Sequence, residues 1–272
     1  MVEKVLFCGT SNTMGLGLDL ELGERYNDVN WLKENGVILP GVKTDEDFEI
    51  IQKHRWPTLV SNHFNFYELN HIDFNGRFDY GRVTKTLETL IEIPSSETQD
   101  IKHVFLESAH IFRLYLPDGT QITPNEMVRL LDNPNTDPKI VNNIHSFLDT
   151  FDETATYKTF IELFCKARDT HKHIKFHLLV WFGIPDTIME NLLEPIKENI
   201  VSMTIGNETS TNIHYLLDKN KLRVCDTAFC YTNQKDDSGN PLWSIGNYVD
   251  MHAGKLGNEL IAKNIIERLK NN

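Results

Sequence analysis

Short apolar runs without polar alternation constrain the fold of this chain more than any other feature. Residues 5–8 form such a run. The clearest predicted strand is residues 174–182, which are closed by Gly183 and are apolar apart from Lys175 and His177. Strands that are buried on both faces have this pattern, which is typical of parallel sheets. Further runs predict strands at residues 66–74, 101–109 and 200–205. Because helical stretches separate the runs, the chain is predicted to form a doubly wound α/β fold with a five-stranded parallel sheet.

Apolar residues at helical spacing mark the segments between the predicted strands. Trp56 is disfavoured inside a helix because Pro57 follows it, so a clean helix is predicted to begin at Pro57. The same spacing predicts further helices at residues 83–91, 139–169 and 186–199.

The chain length of 272 residues is typical of one domain with insertions. Residues 115–137 contain several Pro, Gly and Asn residues, which predicts a loop-rich insertion there. A helical and loop insertion is expected at about residues 18–64, between the first and second strands. Insertions at the carboxyl end of a sheet often form the rim of a substrate site.

The turn after the first apolar run is the first candidate site. Residues 9–15 read Gly-Thr-Ser-Asn-Thr-Met-Gly, and ligands in open α/β sheets bind outside the carboxyl ends of the strands. Ser11 is therefore a candidate nucleophile. The same residue types are equally typical of an ordinary turn and helix N-cap, because they hydrogen-bond to their own backbone.

A second candidate site lies near the C-terminus. Asp250 stands two residues before His252, on a Gly-containing segment that leads into an amphipathic helix. This spacing places a carboxylate that can orient an imidazole beside it. With Ser11 after the first strand, the order Ser, Asp, His predicts a hydrolase triad.

These two segments resemble the SGNH or GDSL hydrolase family. Residues 9–15 resemble the family's first block, Gly-Asp-Ser-x-x-x-Gly, and Asp250-x-His252 resembles the last block. Residues 16–26 further resemble SGNH-like proteins of tailed bacteriophages. The resemblance implies a flavodoxin-like three-layer α/β/α fold and ester hydrolysis, with Ser11 as nucleophile, His252 as base and Asp250 as its orienting acid.

The resemblance also implies an oxyanion hole. Its first two donors would be the backbone N–H groups of Ser11 and Gly76. The family's third block, Gly-x-Asn-Asp, should follow the third strand, but residues 108–110 read Ser-Ala-His and offer no Asn. Asn12 or His110 could donate instead. Losing one such donor typically lowers turnover by about a hundredfold to a thousandfold, so this departure bears on activity.

Two alternative functions stay open at this point. The missing Asn, and Thr10 in place of the first-block Asp, favour a catalytically weak or inactive protein of the same fold with a structural role, for example in a phage virion. Residues 10–13 also resemble the phosphate loop of flavodoxins, which predicts flavin binding. Flavin binding leaves Asp250 and His252 unexplained, and the hydrolase interpretation requires no cofactor.

Composition limits the partners. A net charge of −12 argues against nucleic acid, since binding its backbone needs clustered Lys and Arg. No apolar run reaches the roughly 18 residues that would span a bilayer, and no secretory signal is present, so we expect a cytoplasmic or virion protein with four reduced cysteines. His171, His173 and His177 have no Cys or carboxylate at ligand spacing, which predicts no metal site. The expected partners are a small-molecule or carbohydrate ester and, in a virion, other virion proteins.

Overall fold

The computed structural model describes most of the chain. The described residues are 2–9, 13, 18, 45–69, 77–78, 82–108, 113–117, 120–122, 124–181, 192–225, 229–235, 241–245 and 249–271, and within residues 223–252 the description covers the backbone. The strands are β1 (Lys4–Cys8), β2 (Tyr67–Glu68), β3 (Ile101–Glu107), β4 (Leu114–Tyr115), β5 (Gln121–Ile122), β6 (Lys175–Leu179), β7 (Met203–Ile205), β8 (Glu208–Ser210), β9 (Arg223–Cys225), β10 (Phe229–Lys235), β11 (Pro241–Ile245) and β12 (Val249–Ala253). The helices are α1 (Asp45–His54), α2 (Trp56–Phe64), α3 (Val83–Glu92), α4 (Pro124–Asp132), α5 (Pro138–Thr150), α6 (Glu153–Thr170), α7 (Ile213–Lys219) and α8 (Lys255–Asn271), with 3₁₀ turns at Ser95–Thr98 and Glu194–Asn199.

A parallel sheet forms the centre of the described structure, in the strand order β2-β1-β3-β6. In β1, Phe7 pairs with Phe105 and Cys8 with Leu106, and Leu106 pairs in turn with Leu178 of β6. The apolar runs therefore form three adjacent strands, as their pattern predicts. The first strand, Lys4–Cys8, is one residue longer than its prediction, whereas the others are shorter, and the second contains only Tyr67 and Glu68.

The prediction of five parallel strands is wrong for the described residues, where the sheet has four. Ile200 makes a single parallel bridge with Leu178, at the position of a fifth strand. The chain then leaves the sheet, and β7 pairs with β8 in an antiparallel hairpin. Gly206 has a φ of +63° between the two strands, a conformation that glycine adopts readily, so the tight turn directs the β7 hydrogen bonds to β8.

Helices cover both faces of the sheet. On one face, Leu6, Val104 and Leu178 pack in a cluster with buried side chains of α3 and α6. On the other face, the cluster contains Val5, Phe105 and buried side chains of α2, α7 and α8. Alternate residues of each strand thus face opposite helical layers. The model is a mixed α/β protein whose parallel sheet is flanked by helices.

The helix predicted at residues 139–169 is two helices, α5 and α6. Phe151 has an extended backbone (φ −70°, ψ 119°) and ends α5. Asp152 then caps α6, since its side chain accepts a hydrogen bond of 3.0 Å from the N–H of Ala155. The local capping signal outweighs the continuous apolar spacing. Residues 186–191 of the helix predicted at 186–199 lie outside the described part. In the remainder of that prediction, Glu194–Asn199 form a 3₁₀ turn.

The region predicted as loop-rich, residues 115–137, contains regular structure. Strands β4 and β5 form a hairpin, and α4 follows it. Ile122, Met127 and Ile144 form a small separate cluster with half-buried side chains from this region and α5. Among the described residues, no helix combines the length and the apolar character needed to cross a bilayer.

Candidate functional site

A buried polar contact lies at the carboxyl edge of the sheet, where β1 and β3 end. The side-chain hydroxyl of Thr13 donates a hydrogen bond to Oε1 of Glu107, the last residue of β3. Thr13 is 5% exposed and Glu107 is 1% exposed. The segment that follows β1 is therefore joined to the end of the neighbouring strand by a hydrogen bond shielded from water.

Gly9 makes this close approach possible. A Cβ atom built on Gly9 would lie 2.6 Å from Cγ of Glu107, and closer still to Cδ of Glu107 and Oγ1 of Thr13. Any side chain at position 9 would push Glu107 and Thr13 aside. The first glycine of the predicted first block is thus required by packing against Glu107.

Helix α8 begins at this same edge of the sheet. Ile200 pairs in parallel with Leu178, so the chain before it lies towards the amino ends of the strands. Arg268, near the end of α8, donates to the carbonyl oxygen of Glu198, whereas Asn264, one turn earlier, bonds both backbone groups of Thr204. Helix α8 therefore runs antiparallel to the strands and starts towards their carboxyl ends.

Asn258 connects the start of α8 to the helix that packs on β1. Its Oδ1 accepts a hydrogen bond of 3.0 Å from the N–H of Trp56, the first residue of α2. Its Nδ2 donates to the carbonyl oxygens of Ala253 (2.8 Å) and Gly254 (3.1 Å). The Trp56 ring meets the Phe7 ring edge-on at 5.1 Å between centroids. The residue after His252, Ala253, is thus linked to Phe7 of β1 by three successive contacts through Asn258 and Trp56.

The predicted site residues are described to different extents. Ser11, Asn12, Gly76 and His110 lie outside the described residues. Asp250 and His252 belong to β12, whose backbone pairs with β9 through Val249↔Cys225 and Ala253↔Arg223. The contact between Ser11, His252 and Asp250 therefore stays a prediction.

Glu107 is a site residue that the sequence reasoning missed. It is the only acid in the run 104–107, Val-Phe-Leu-Glu, and it ends a strand that is otherwise apolar over its last four positions. A charged residue at that place costs free energy unless it has hydrogen-bond partners. The signal was available, since an acid directly at the carboxyl end of a buried strand faces the edge where ligands bind in open sheets.

A second polar contact, which is partly buried, lies on the same face of the sheet. It joins His103, four residues before the end of β3, to His177, two residues before the end of β6. Nδ1 of His103 and Nε2 of His177 are 3.1 Å apart on β3 and β6. The His177 ring stacks on Phe105, with centroids 4.5 Å apart and 15° between the planes. Burial, with smaller effects from Lys175 and Lys102, lowers the pKa of His103 to about 4.

The pKa of His177 is also lowered, well below its ordinary value. Burial is the largest cause, followed by the charges of His103, Arg268 and Lys175. Nδ1 of His177 is buried without a hydrogen-bond partner among the described residues. Protonation would place a charge on the buried ring of His177 or on the partly buried ring of His103, where it is poorly solvated.

Of the three clustered histidines of the sequence, two contact Thr98 and the third contacts another histidine. Nδ1 of His171 lies 2.9 Å from the Thr98 hydroxyl, and Nε2 of His173 lies 2.9 Å from the Thr98 carbonyl oxygen, whereas His177 contacts His103. Within the described ranges, no group of three His, Cys, Asp or Glu residues could hold a metal ion.

Comparisons with known proteins return one similar structure. No protein-family model matches the chain, and no curated protein matches it. A solved structure, described as the active site of a carbohydrate esterase with divergent catalytic and non-catalytic binding functions, aligns over 99% of this chain and 69% of the other at 13% identity and a TM-score of 0.37. A likeness at that TM-score carries no argument about fold or activity.

Proposed function

We propose that the protein is a serine ester hydrolase of the SGNH type, acting on a small-molecule or carbohydrate ester. Ser11 attacks the ester carbonyl, His252 accepts the Ser11 proton and later gives a proton to the leaving alcohol, and Asp250 orients the imidazole. Water then hydrolyses the acyl-enzyme, with His252 as base. The Ser11 and Gly76 N–H groups bind the oxyanion, with Asn12 or His110 as a third donor.

The strand order supports the finer fold assignment, a flavodoxin-like three-layer α/β/α domain. Flavodoxin-like sheets have the order 2-1-3-4-5. The described sheet has its first four parallel strands in the order second, first, third, fourth, and Ile200 bridges the outer edge where a fifth strand would lie. On this assignment, the ligand site lies at the carboxyl edge, beside the first strand.

The observation that carries the proposal is the common anchoring of the two motif-bearing segments. Gly9, at the start of the first motif, packs against Glu107 at the carboxyl edge. Ala253 directly follows His252, and its side chain is 2% exposed in the same apolar cluster as Phe7. Neighbours of Ser11 and of His252 therefore pack on the same face of the sheet, although the two residues are 241 positions apart in the sequence.

Covalent labelling tests the proposed nucleophile and base. The native chain, Ser11→Ala and His252→Ala are treated with a fluorophosphonate probe, and hydrolysis of a short-chain aryl ester is followed in parallel. Ser202→Ala and His145→Ala serve as matched controls, because both residues are exposed and lie outside the proposed site. We expect labelling and turnover in the native chain and both controls, and loss of both in the Ser11 and His252 variants.

The opposite result is equally informative. A folded native chain that neither labels nor turns over the ester shows that the proposal is wrong, and a binding or structural role then replaces it. If labelling persists in Ser11→Ala, a different residue is the nucleophile. Turnover of acetylated sugars against simple aryl acetates distinguishes carbohydrate esters from other small-molecule esters.

A further inference from the structure

We propose that Glu107 positions the nucleophile loop by holding Thr13. This inference rests on the proposed function and extends it to a residue that neither motif contains. The proposed mechanism gives Glu107 no part in bond making or proton transfer, so its role here is that of a positioning residue that acts through the loop.

The loop is tied to Glu107 at two points that bracket Ser11 in the chain. Gly9, two residues before Ser11, packs against the Glu107 side chain with no room for a Cβ atom. Thr13, two residues after Ser11, donates its hydroxyl hydrogen bond to the same carboxyl group. The residues two positions before and two positions after Ser11 therefore both lie against one side chain.

The strand that carries Glu107 is held in place on both sides. Glu107 belongs to β3, which pairs with β1 on one side and β6 on the other, and Leu106 lies opposite Cys8. Glu107 itself pairs with Leu179. Because β3 lies in the middle of the sheet, hydrogen bonds on both sides of the strand fix its backbone. They thereby fix the point from which the Glu107 side chain extends. Sites built on strands hold their geometry better than sites built on loops.

Positioning matters for the proposed chemistry because the nucleophile must lie close to the ester carbon and in line with it. A displacement of about 1 Å can lower a rate by as much as about a hundredfold. Loss of the Thr13 hydroxyl should therefore lower kcat and leave KM nearly unchanged, since the role of the Glu107 contacts is to orient Ser11 and not to bind substrate. A purely structural role for the contact predicts lower stability with unchanged kcat.

The test uses variants that change the hydrogen bond with little change in shape. Thr13→Val removes the hydroxyl, Thr13→Ser keeps it, and Glu107→Gln keeps one acceptor oxygen and replaces the other by an amide NH₂. Thr98→Val is the matched control, because Thr98 is fully buried, is hydrogen-bonded to His171 and precedes β3 at the opposite edge of the sheet. Aryl ester hydrolysis, fluorophosphonate labelling and thermal unfolding are measured for each variant.

We expect Thr13→Val to lower kcat about tenfold or more with KM within about twofold of native. Thr13→Ser should restore kcat to within about threefold, and Glu107→Gln should fall between native and Thr13→Val. Thr98→Val should lower stability and leave kcat unchanged. In the double variant of Thr13→Val and Glu107→Gln, kcat should be no lower than in Thr13→Val, because both changes remove the same contact.

The outcomes separate this inference from the proposed function. If the native chain labels at Ser11 and Thr13→Val retains native kcat, the positioning role is wrong and the esterase proposal stands. Failure of a folded Thr13→Ser to restore kcat also overturns the role. If the native chain does not label, the proposed function is wrong and the inference falls with it. Should Thr13→Val not fold, Thr13→Ala, which also removes the hydroxyl, decides, and native kcat in that variant overturns the inference.

Discussion

Acid should destabilise the protein through the His103–His177 pair. At neutral pH both rings are uncharged, and the 3.1 Å contact requires one ring N–H to donate to the other ring nitrogen. Lowering the pH charges the histidines of the unfolded chain first, because the folded pKa values of both rings are depressed. The unfolded state therefore binds more protons than the folded state, and the free energy of unfolding falls as the pH falls.

The pH window and the size of the effect follow from the pKa of His103. Its ordinary value is 6.5 and its value in the fold is about 4, so the stabilisation is complete above pH 6.5 and is lost as the pH falls towards 4. One pKa unit corresponds to about 1.4 kcal/mol. Allowing for the partial exposure of the ring, His103 should account for on the order of 2 to 3 kcal/mol. His177 changes stability in the same direction.

Urea unfolding at several pH values between about 7 and 4 measures this loss. Since many carboxyl groups also titrate in this range, the informative quantity is the difference between native and His103→Gln. Gln can still hydrogen-bond to Nε2 of His177 but does not titrate. His145→Gln is the control, because His145 is exposed on α5. We expect His103→Gln to lose about 2 kcal/mol less than native over this range, and His145→Gln to follow native.

One result would refute the reasoning. The free energy of unfolding of His103→Gln could fall with acid as steeply as that of the native chain. Burial would then not lower the pKa of His103 in the folded protein. A native chain whose stability stays level down to about pH 4 would contradict the sign of the effect as well.

Two further substitutions test the contacts that anchor the motif-bearing segments. Gly9→Ala should lower the free energy of unfolding by about 2 to 3 kcal/mol, because the new methyl group overlaps Glu107. Gly206→Ala is the control in the same urea titration. It is strained only by the φ of +63° at position 206 and should cost about 1 kcal/mol. Asn258→Ala should cost about 2 to 3 kcal/mol, because it leaves the N–H of Trp56 buried without its partner. Asn264→Ala, which loses an exposed contact with Thr204, should cost less than about 1 kcal/mol, and equal losses in the two Asn variants would contradict the role of Asn258.

Some errors of the sequence-based predictions come from local signals that compete with each other. The apolar spacing continues across residues 139–169, yet the Asp152 cap starts a new helix within it. Likewise, residues 200–205 are apolar enough for a fifth strand, but the turn at Gly206 directs them into a hairpin with β8. In both places the local sequence is compatible with two structures, and packing in the folded protein determines which one forms.

The sequence by itself determined the central elements. Segments rich in apolar residues identified β1, β3 and β6, and the helical spacing of residues 83–91 identified α3, because neighbouring residues alone determine such local patterns. The tertiary structure alone decided the contacts between distant residues. The partners in the Thr13–Glu107, Trp56–Asn258 and His103–His177 pairs are 94, 202 and 74 residues apart. Such pairs depend on strand order, register and helix direction, which no local pattern encodes.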